Sequence, residues 1–309
     1  MKGRPSHISA INENGLLLIT SSGRYKLNIP AADKAGDLRP FRSDDVVLLT
    51  AKSQHTPICL SELKAAGFPK DLPICCMQNS IWNESYASRV FDNIYGAMIV
   101  VPGFYLDPGE VIHNFSGDRG YIDIGRYPSG TDDICRQISH DLCRAGFIAR
   151  THKRVMKSKS GKCLHNLSNA YSVIKSTKKQ EEEFLSIIRD EAQIVWKAAG
   201  IEFEGLKDFQ KRIKRSAKWE RWEAPEQKDM DWGGSGWQTL ARQAGSSESP
   251  RLNGDVAELA RDLNISTPAN RALCEISADA AIQRKAPHSI PFTDLKKLYE
   301  RYAGQGKAG

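Results

Sequence analysis

The sequence predicts an α/β domain followed by an all-α domain, and three observations carry that prediction. The first half alternates short apolar runs with helical segments, as a parallel sheet with crossover helices does. After about residue 152 no strand-like run stands out and the pattern turns helical. A chain of 309 residues is also long enough for two hydrophobic cores. The expected boundary lies near residue 150, giving an α/β domain over 1–150 and an all-helical domain over 151–309.

Taken in order, Ser6 to Asn14 reads as a short helix. Leu16-Leu-Leu-Ile-Thr20 and Tyr25-Lys-Leu-Asn-Ile29 flank the turn Ser21-Ser-Gly-Arg24 as a hairpin. Asp45 to Lys52 is a continuous apolar run, expected to be a strand buried on both faces. A helix from Leu60 to Ala66 follows, then a second buried strand from Leu72 to Asn79. Ala97–Val101, Gly109–His113 and Tyr121–Gly125 read as antiparallel strands between Pro, Gly and Asp turns. Thr131 is the expected N-cap of an amphipathic helix that Gly146 ends, and 147–150 is a last short strand. Helices are expected over roughly 153–175, 180–199, 206–221, 235–245, 249–263, 268–284 and 292–302. Thr267 and Pro268 form a helix start, with proline where its missing N–H costs nothing.

Composition excludes several classes. With 40% hydrophobic and 26% charged residues the chain is of ordinary globular type, not a disordered one. No apolar run is long enough to span a bilayer, and Met-Lys-Gly-Arg-Pro is no secretory signal, so a cytoplasmic protein without membrane contact is expected. Seven cysteines without ligand spacing suggest reduced thiols and no metal site; Cys75 and Cys76 read as core packing. The net charge of +7 suits an anionic ligand and does not by itself imply nucleic acid. Residues 207–221 are rich in Lys and Arg, but interleaved acids favour a solvated lid helix over a nucleic-acid surface.

The chemistry concentrates in 161–173. A helix there puts Lys162, Asn166 and Asn169 at i, i+4 and i+7, on one face. One ammonium and two amides can grip a small anion that also carries a carbonyl, the ammonium supplying charge and a transferable proton. Lys52 and Asn79 stand at the carboxyl ends of two strand-like runs, where open parallel sheets bind ligands. An isolated Lys-x-x-x-Asn would be no more than a solvated helix face.

These residues together resemble the ketopantoate reductases, enzymes that use NADPH to reduce 2-dehydropantoate or related 2-keto acids. Val46-Val-Leu-Leu-Thr-Ala-Lys52 is similar to the family's strand ending in a cofactor-binding lysine. Gln78-Asn79-Ser80 resembles its Gln-Asn-Gly, with Ser80 in place of the glycine and Asn79 at the nicotinamide. Lys162-Cys-Leu-His-Asn166 resembles the catalytic Lys-x-x-x-Asn, and Asn169 falls one residue short of the next substrate asparagine. Gly234-Ser235-Gly236-Trp237-Gln238 resembles the Ser-Ser-x-x-Gln loop that holds the substrate carboxylate, with Gly236 replacing the second serine. Ser247-Glu248 and Leu252-Asn253-Gly254-Asp255 resemble the segment whose glutamate approaches the cofactor; its aromatic is Arg251 here. Asn264-Ile-Ser-Thr-Pro268-Ala-Asn270 is similar to the family's ending, and Gly3-Arg4-Pro5 to the segment that places an arginine on the 2′-phosphate of NADP.

The resemblance implies a Rossmann-like NADP-binding domain, then a helical domain of the 6-phosphogluconate dehydrogenase C-terminal type. It implies NADP(H) as cofactor, Lys162 as proton donor, Asn166, Asn169, Ser235 and Gly236 toward the substrate, and Arg4, Lys52, Asn79 and Glu248 toward the cofactor. A 2-keto acid is the expected partner, with a homodimer through the helical domain. No strand, Gly-x-Gly-x-x-Gly turn and helix occur in that order, although such a unit opens a dinucleotide fold. The truncation is expected to be about 30 residues upstream, one β-α unit and part of a strand. Either the natural protein is longer, which the retained downstream chemistry favours, or the chain is a non-catalytic relative that binds an anionic metabolite or a protein.

Overall fold

The structure, a computed structural model, describes residues 1–227 and 233–305. Two compact units divide the chain: Met1–Lys159 with Lys207–Asp231, and Ser160–Leu206 with Trp232–Gly309. Where the sequence places one boundary near 150, the chain leaves the first unit after Lys159 and returns to it over 207–231.

The first unit opens with α1 (Pro5–Asn14) and the hairpin β1 (Leu16–Thr20) and β2 (Gly23–Leu27). Then come β3 (Val47–Leu49), α2 (Thr56–Ala65), β4 (Ile74–Cys76), α3 (Asn83–Ala87) and β5 (Ile94–Val100). These are followed by β6 (Glu110–Ile112), β7 (Phe115–Gly117), β8 (Tyr121–Arg126), α4 (Asp133–Arg144) and β9 (Ile148–Thr151). Among the described residues the main sheet has the order β3-β4-β5-β8-β9; β3, β4 and β5 are parallel, and β8 runs antiparallel to β5. The strand expected at 109–113 leaves this sheet. As β6 it pairs parallel with β1 in a small sheet of order β2-β1-β6.

Cys75 and Cys76 are both fully buried. Successive strand side chains point to opposite faces, so Cys76 packs with Leu49, Leu60 and Phe91 while Cys75 packs with Tyr95, Ile122 and Ile124. Burial pushes the Cys75 thiol up to about 12 and that of Cys76 well above its ordinary value, which leaves both inert. The run 45–52 is less buried than its composition suggests. Only Val47–Leu49 is strand; α2 covers the Leu49 face, and Leu48, pointing the other way at the sheet edge, is 44% exposed. The α4 cap is Asp132, not Thr131: its carboxylate accepts from the Cys135 amide at 2.9 Å, from the Tyr95 hydroxyl and from Arg126.

The basic stretch is also more than a solvated helix. α7 (Leu206–Ser216) buries Phe209 and Ile213 against Met98 and Tyr121. Its Arg212 donates to the Asp123 carboxylate at 2.7 Å and the Tyr121 hydroxyl at 2.8 Å, and also bonds Ser158. β11 (Trp219–Arg221) then pairs antiparallel with β7.

α5 (Val155–Asn166) runs from the first unit into the second. A 3-10 segment, Leu167–Val173, continues it, followed by β10 (Ile174–Lys175) and α6 (Lys178–Ala198), whose start carries a Thr177/Gln180 capping box. α8 (Ser235–Ala241), α9 (Asn253–Asp262), α10 (Pro268–Ile282), β12 (Ile290–Pro291) and α11 (Phe292–Gln305) complete the unit. Thus, among the described residues, three short strands lie beyond residue 152: β11 in the first unit, and β10 paired with β12 in the second. Two or three residues are too few to display a period of two. Among the described residues no helix is long and apolar enough to cross a membrane.

Candidate functional site

In the first unit the site is built at the ends of two parallel strands. Leu49 lies opposite Cys76 at the ends of β3 and β4, and Lys52 and Asn79 follow their strand's last residue by the same short step. Both side chains are half-buried. The turn bearing Asn79 is tightly held: its carbonyl accepts from Ser53 Oγ at 2.7 Å and Asn83 Nδ2 at 2.6 Å. Thr56 Oγ1 bonds Asn83 Oδ1 at 2.7 Å and accepts from Gln78 Nε2 at 3.0 Å, closing a buried ring of amides and hydroxyls. Gln78 Oε1 stays buried without a hydrogen-bond partner. Ser80 has φ of 69°, the left-handed conformation that explains why glycine suits this position.

Behind this turn lies an ion pair that sequence reasoning missed. Lys159, 3% exposed, donates to the Cys76 carbonyl at 2.9 Å and pairs with Glu84, which is fully buried. Gly96 makes room for it: a Cβ there would stand 3.2 Å from Glu84 Oε1 and 3.1 Å from Met156 Sδ. Desolvation raises the Glu84 carboxyl above its ordinary range, and the charge and hydrogen bond of Lys159 only partly oppose it. The signal was present, because Lys159 falls on the inward helix face with Val155 and Cys163 at i−4 and i+4. Arg4 stands elsewhere, at the start of α1, with its guanidinium 5.1 Å from the Tyr105 ring centre.

In the second unit Lys162 is half-buried, Asn166 buried and Asn169 half-buried. The helix expected over 153–175 changes winding after Asn166. A 3-10 helix has about three residues per turn, so residues i and i+3 eclipse. Asn169 therefore returns to the side of Asn166 despite being one residue short of an α-helical turn. His165 reaches solvent, yet desolvation first and then the charges of Lys162 and Arg189 lower its pKa.

Two glycines let backbone approach this run. A Cβ on Gly161 would lie 2.6 Å from the Glu204 carbonyl oxygen. A Cβ on Gly236 would lie 2.8 Å from the Asn169 carbonyl carbon and closer still to its oxygen. The start of α8, with Ser235 half-buried, thus packs directly on Asn169. Glu248 is 8% exposed in the loop before α9, and Arg251 pairs with Asp255 at 3.2 Å.

A mostly parallel sheet with polar groups at its strand ends forms the first unit, and a helical unit bearing a Lys/Asn/Asn run forms the second. Residues 1–129 match the family model described as ketopantoate reductase PanE/ApbA. The chain is 28% identical over 164 residues to a 2-dehydropantoate 2-reductase of Pyrococcus horikoshii, covering 53% of this chain and 51% of that protein. A second such protein, from Pyrococcus abyssi, is 29% identical over 144 residues, 44% of this chain and 42% of its own length. The chain thus spans about half the length of the curated relatives it matches. Among solved structures it is similar to a PanE/ApbA family ketopantoate reductase from Ralstonia eutropha JMP134, with TM-score 0.69 and 22% identity over 97% of this chain and 90% of that one. It is also similar in fold to a D-mandelate dehydrogenase solved with NADH and anilino(oxo)acetate, with TM-score 0.72 and 17% identity over 96% and 90%.

Proposed function

We propose that this protein reduces a 2-keto acid, 2-dehydropantoate or a related one, to the 2-hydroxy acid with NADPH. The observation that supports the reading is the continuous helical run carrying Lys162, Asn166 and Asn169, in which the change to 3-10 winding after Asn166 narrows the angle between the two amides.

Lys162 donates a proton to the oxygen that gains charge as the carbonyl is reduced, and its cation stabilises that charge most in the transition state. Asn166 and Asn169 orient the carbonyl and the ammonium. Ser235 and the backbone at Gly236 hold the substrate carboxylate. The orphaned Gln78 Oε1 beside the Asn79 turn fits a cofactor group that carries N–H donors, and Lys52 supplies the cation for a phosphate-bearing ligand. Lys52 and Asn79 would hold the nicotinamide end, Glu248 would approach the cofactor, and Arg4 is assigned to its 2′-phosphate. NADPH, when bound, supplies the hydride. The second reading is a non-catalytic relative that binds an anionic metabolite or a protein partner.

The test follows NADPH oxidation with ketopantoate and a panel of 2-keto acids, in the wild type and in Lys162→Ala. Turnover that falls by about a thousandfold or more in the variant, with NADPH affinity kept, supports the reductase. Wild-type turnover in Lys162→Ala would make the Lys/Asn run structural; no wild-type turnover with any keto acid would leave the binding-protein reading.

A further inference from the structure

Two family-like motifs have no part in the chemistry above: Leu252-Asn253-Gly254-Asp255 and Thr267-Pro268-Ala269-Asn270. They meet in one buried polar network. Asn253 opens α9 and Asn270 lies in the first turn of α10, and neither is exposed. Asn253 Nδ2 donates to Asn270 Oδ1 at 3.1 Å and to the Leu167 carbonyl at 3.2 Å. Asn270 Nδ2 donates to the Ile188 carbonyl at 3.0 Å and to Glu191 Oε2 at 2.8 Å. The Glu191 carboxylate, on α6, also accepts from the amides of Ala269 and Asn270, both at 2.9 Å. It thereby caps α10, where a negative charge meets the positive end of the helix. Gly254 lets the start of α9 come close to α10, since a Cβ there would be 3.1 Å from Cys274 Sγ.

The bonds run from α6 through α10 and α9 to one backbone oxygen, that of Leu167. Leu167 is the first residue of the 3-10 segment, directly after Asn166. Where i→i−4 bonding gives way to i→i−3, backbone groups lose their regular partners and an outside donor compensates. The Asn253 amide is committed to donating. Turned over, its oxygen would face two acceptors, and even as it stands Oδ1 is buried without a hydrogen-bond partner. Three residues of α-helix would leave Asn169 about 60° from the direction of Asn166, whereas a 3-10 turn brings it round.

We infer that Asn253 and Asn270 are positioning residues of the keto-acid site: they hold the Leu167 carbonyl and so fix the winding that turns Asn169 to the side of Asn166. The inference rests on the keto-acid reading for its ligand, but not for its geometry. Asn253 acts directly on Leu167; Asn270 and Glu191 hold Asn253 in place.

The test compares Asn253→Ala with Val256→Ala, which empties core space on the same helix without touching the network. Hydrogen–deuterium exchange is followed for the 167–173 segment and for α6. In Asn253→Ala exchange at 167–173 should rise by about tenfold relative to α6, the factor that one lost buried hydrogen bond allows. Val256→Ala should accelerate both alike. In parallel the Michaelis constant for ketopantoate should rise by about tenfold in Asn253→Ala, with kcat changed far less, because the oriented amides serve mainly the bound ground state. If Asn253→Ala does not fold, Asn253→Ser, which keeps a donor of shorter reach, takes its place. Equal exchange behaviour in the two variants would overturn the positioning role. Selective exchange in a protein that neither binds nor reduces ketopantoate would overturn the keto-acid reading alone.

Discussion

Gly236 faces the backbone carbonyl of Asn169 so closely that no side chain fits between them. The departure from the family's Ser-Ser loop is therefore a packing requirement of this chain, set by how the start of α8 meets the 3-10 segment. Gly236→Ser is expected to lower stability by about 3 kcal/mol, at the upper end of overpacking costs. Thermal unfolding of Gly236→Ser and of the neighbouring Ser235→Ala checks this, the second expected to shift little. An unchanged midpoint in Gly236→Ser would show that α8 can retreat.

The buried Lys159–Glu84 pair predicts a non-additive cycle. Removing either partner leaves a charge buried without compensation, so Lys159→Met or Glu84→Leu alone should cost about 3–5 kcal/mol, while the double variant should recover much of it. Denaturant unfolding of all four proteins measures the coupling, and strict additivity would remove the pair from the account.

Glu84 also sets a sign for pH dependence. Its folded pKa is raised above the unfolded value, so the native state binds this proton more tightly. Its contribution is fully present below the unfolded pKa of 4.5 and is lost as pH rises through the folded value. Asp132 runs the other way. Desolvation pushes it up, but the Cys135 amide, Arg126 and Tyr95 outweigh that, so its contribution is present above the unfolded value and fades as pH falls through the folded one. Glu84→Gln should remove the first slope from a stability–pH profile and leave the second.

Ser80 occupies a left-handed conformation without being glycine. Ser80→Gly should raise stability by up to about 1 kcal/mol, as relief of strain slightly exceeds the added unfolded-state entropy, and Ser80→Val should lower it by more. Equal stability of the Gly and Val variants would contradict the strained turn.

Arg212→Met should be costly although the residue sits in a surface-like basic stretch. Asp123 is 1% exposed and would lose its cation, an effect of about 3–5 kcal/mol. Lys211→Met on the same helix should be nearly neutral. Similar losses in the two variants would mean that α7 is held by its apolar face alone.

The sequence by itself determined what depends on neighbours along the chain. Alternating short runs announced the parallel β3–β4 pair, though not that β5 joins it in parallel, Thr267-Pro268 announced the start of α10, and the places of Lys52 and Asn79 just past two strands followed from where the apolar runs stop. The Lys162–Asn166 spacing is equally local, because one α-helical turn fixes it. Tertiary structure decided the rest. Only packing shows that Lys159 meets Glu84, that Arg212 meets Asp123, and that Asn253 reaches the carbonyl of Leu167. It also decides that 207–231 rejoins the first unit and that the helix changes winding at Asn166. Periodicity tells which way a side chain points from its own element. It carries no information about which distant group waits there, and a buried polar atom is satisfied only by that group.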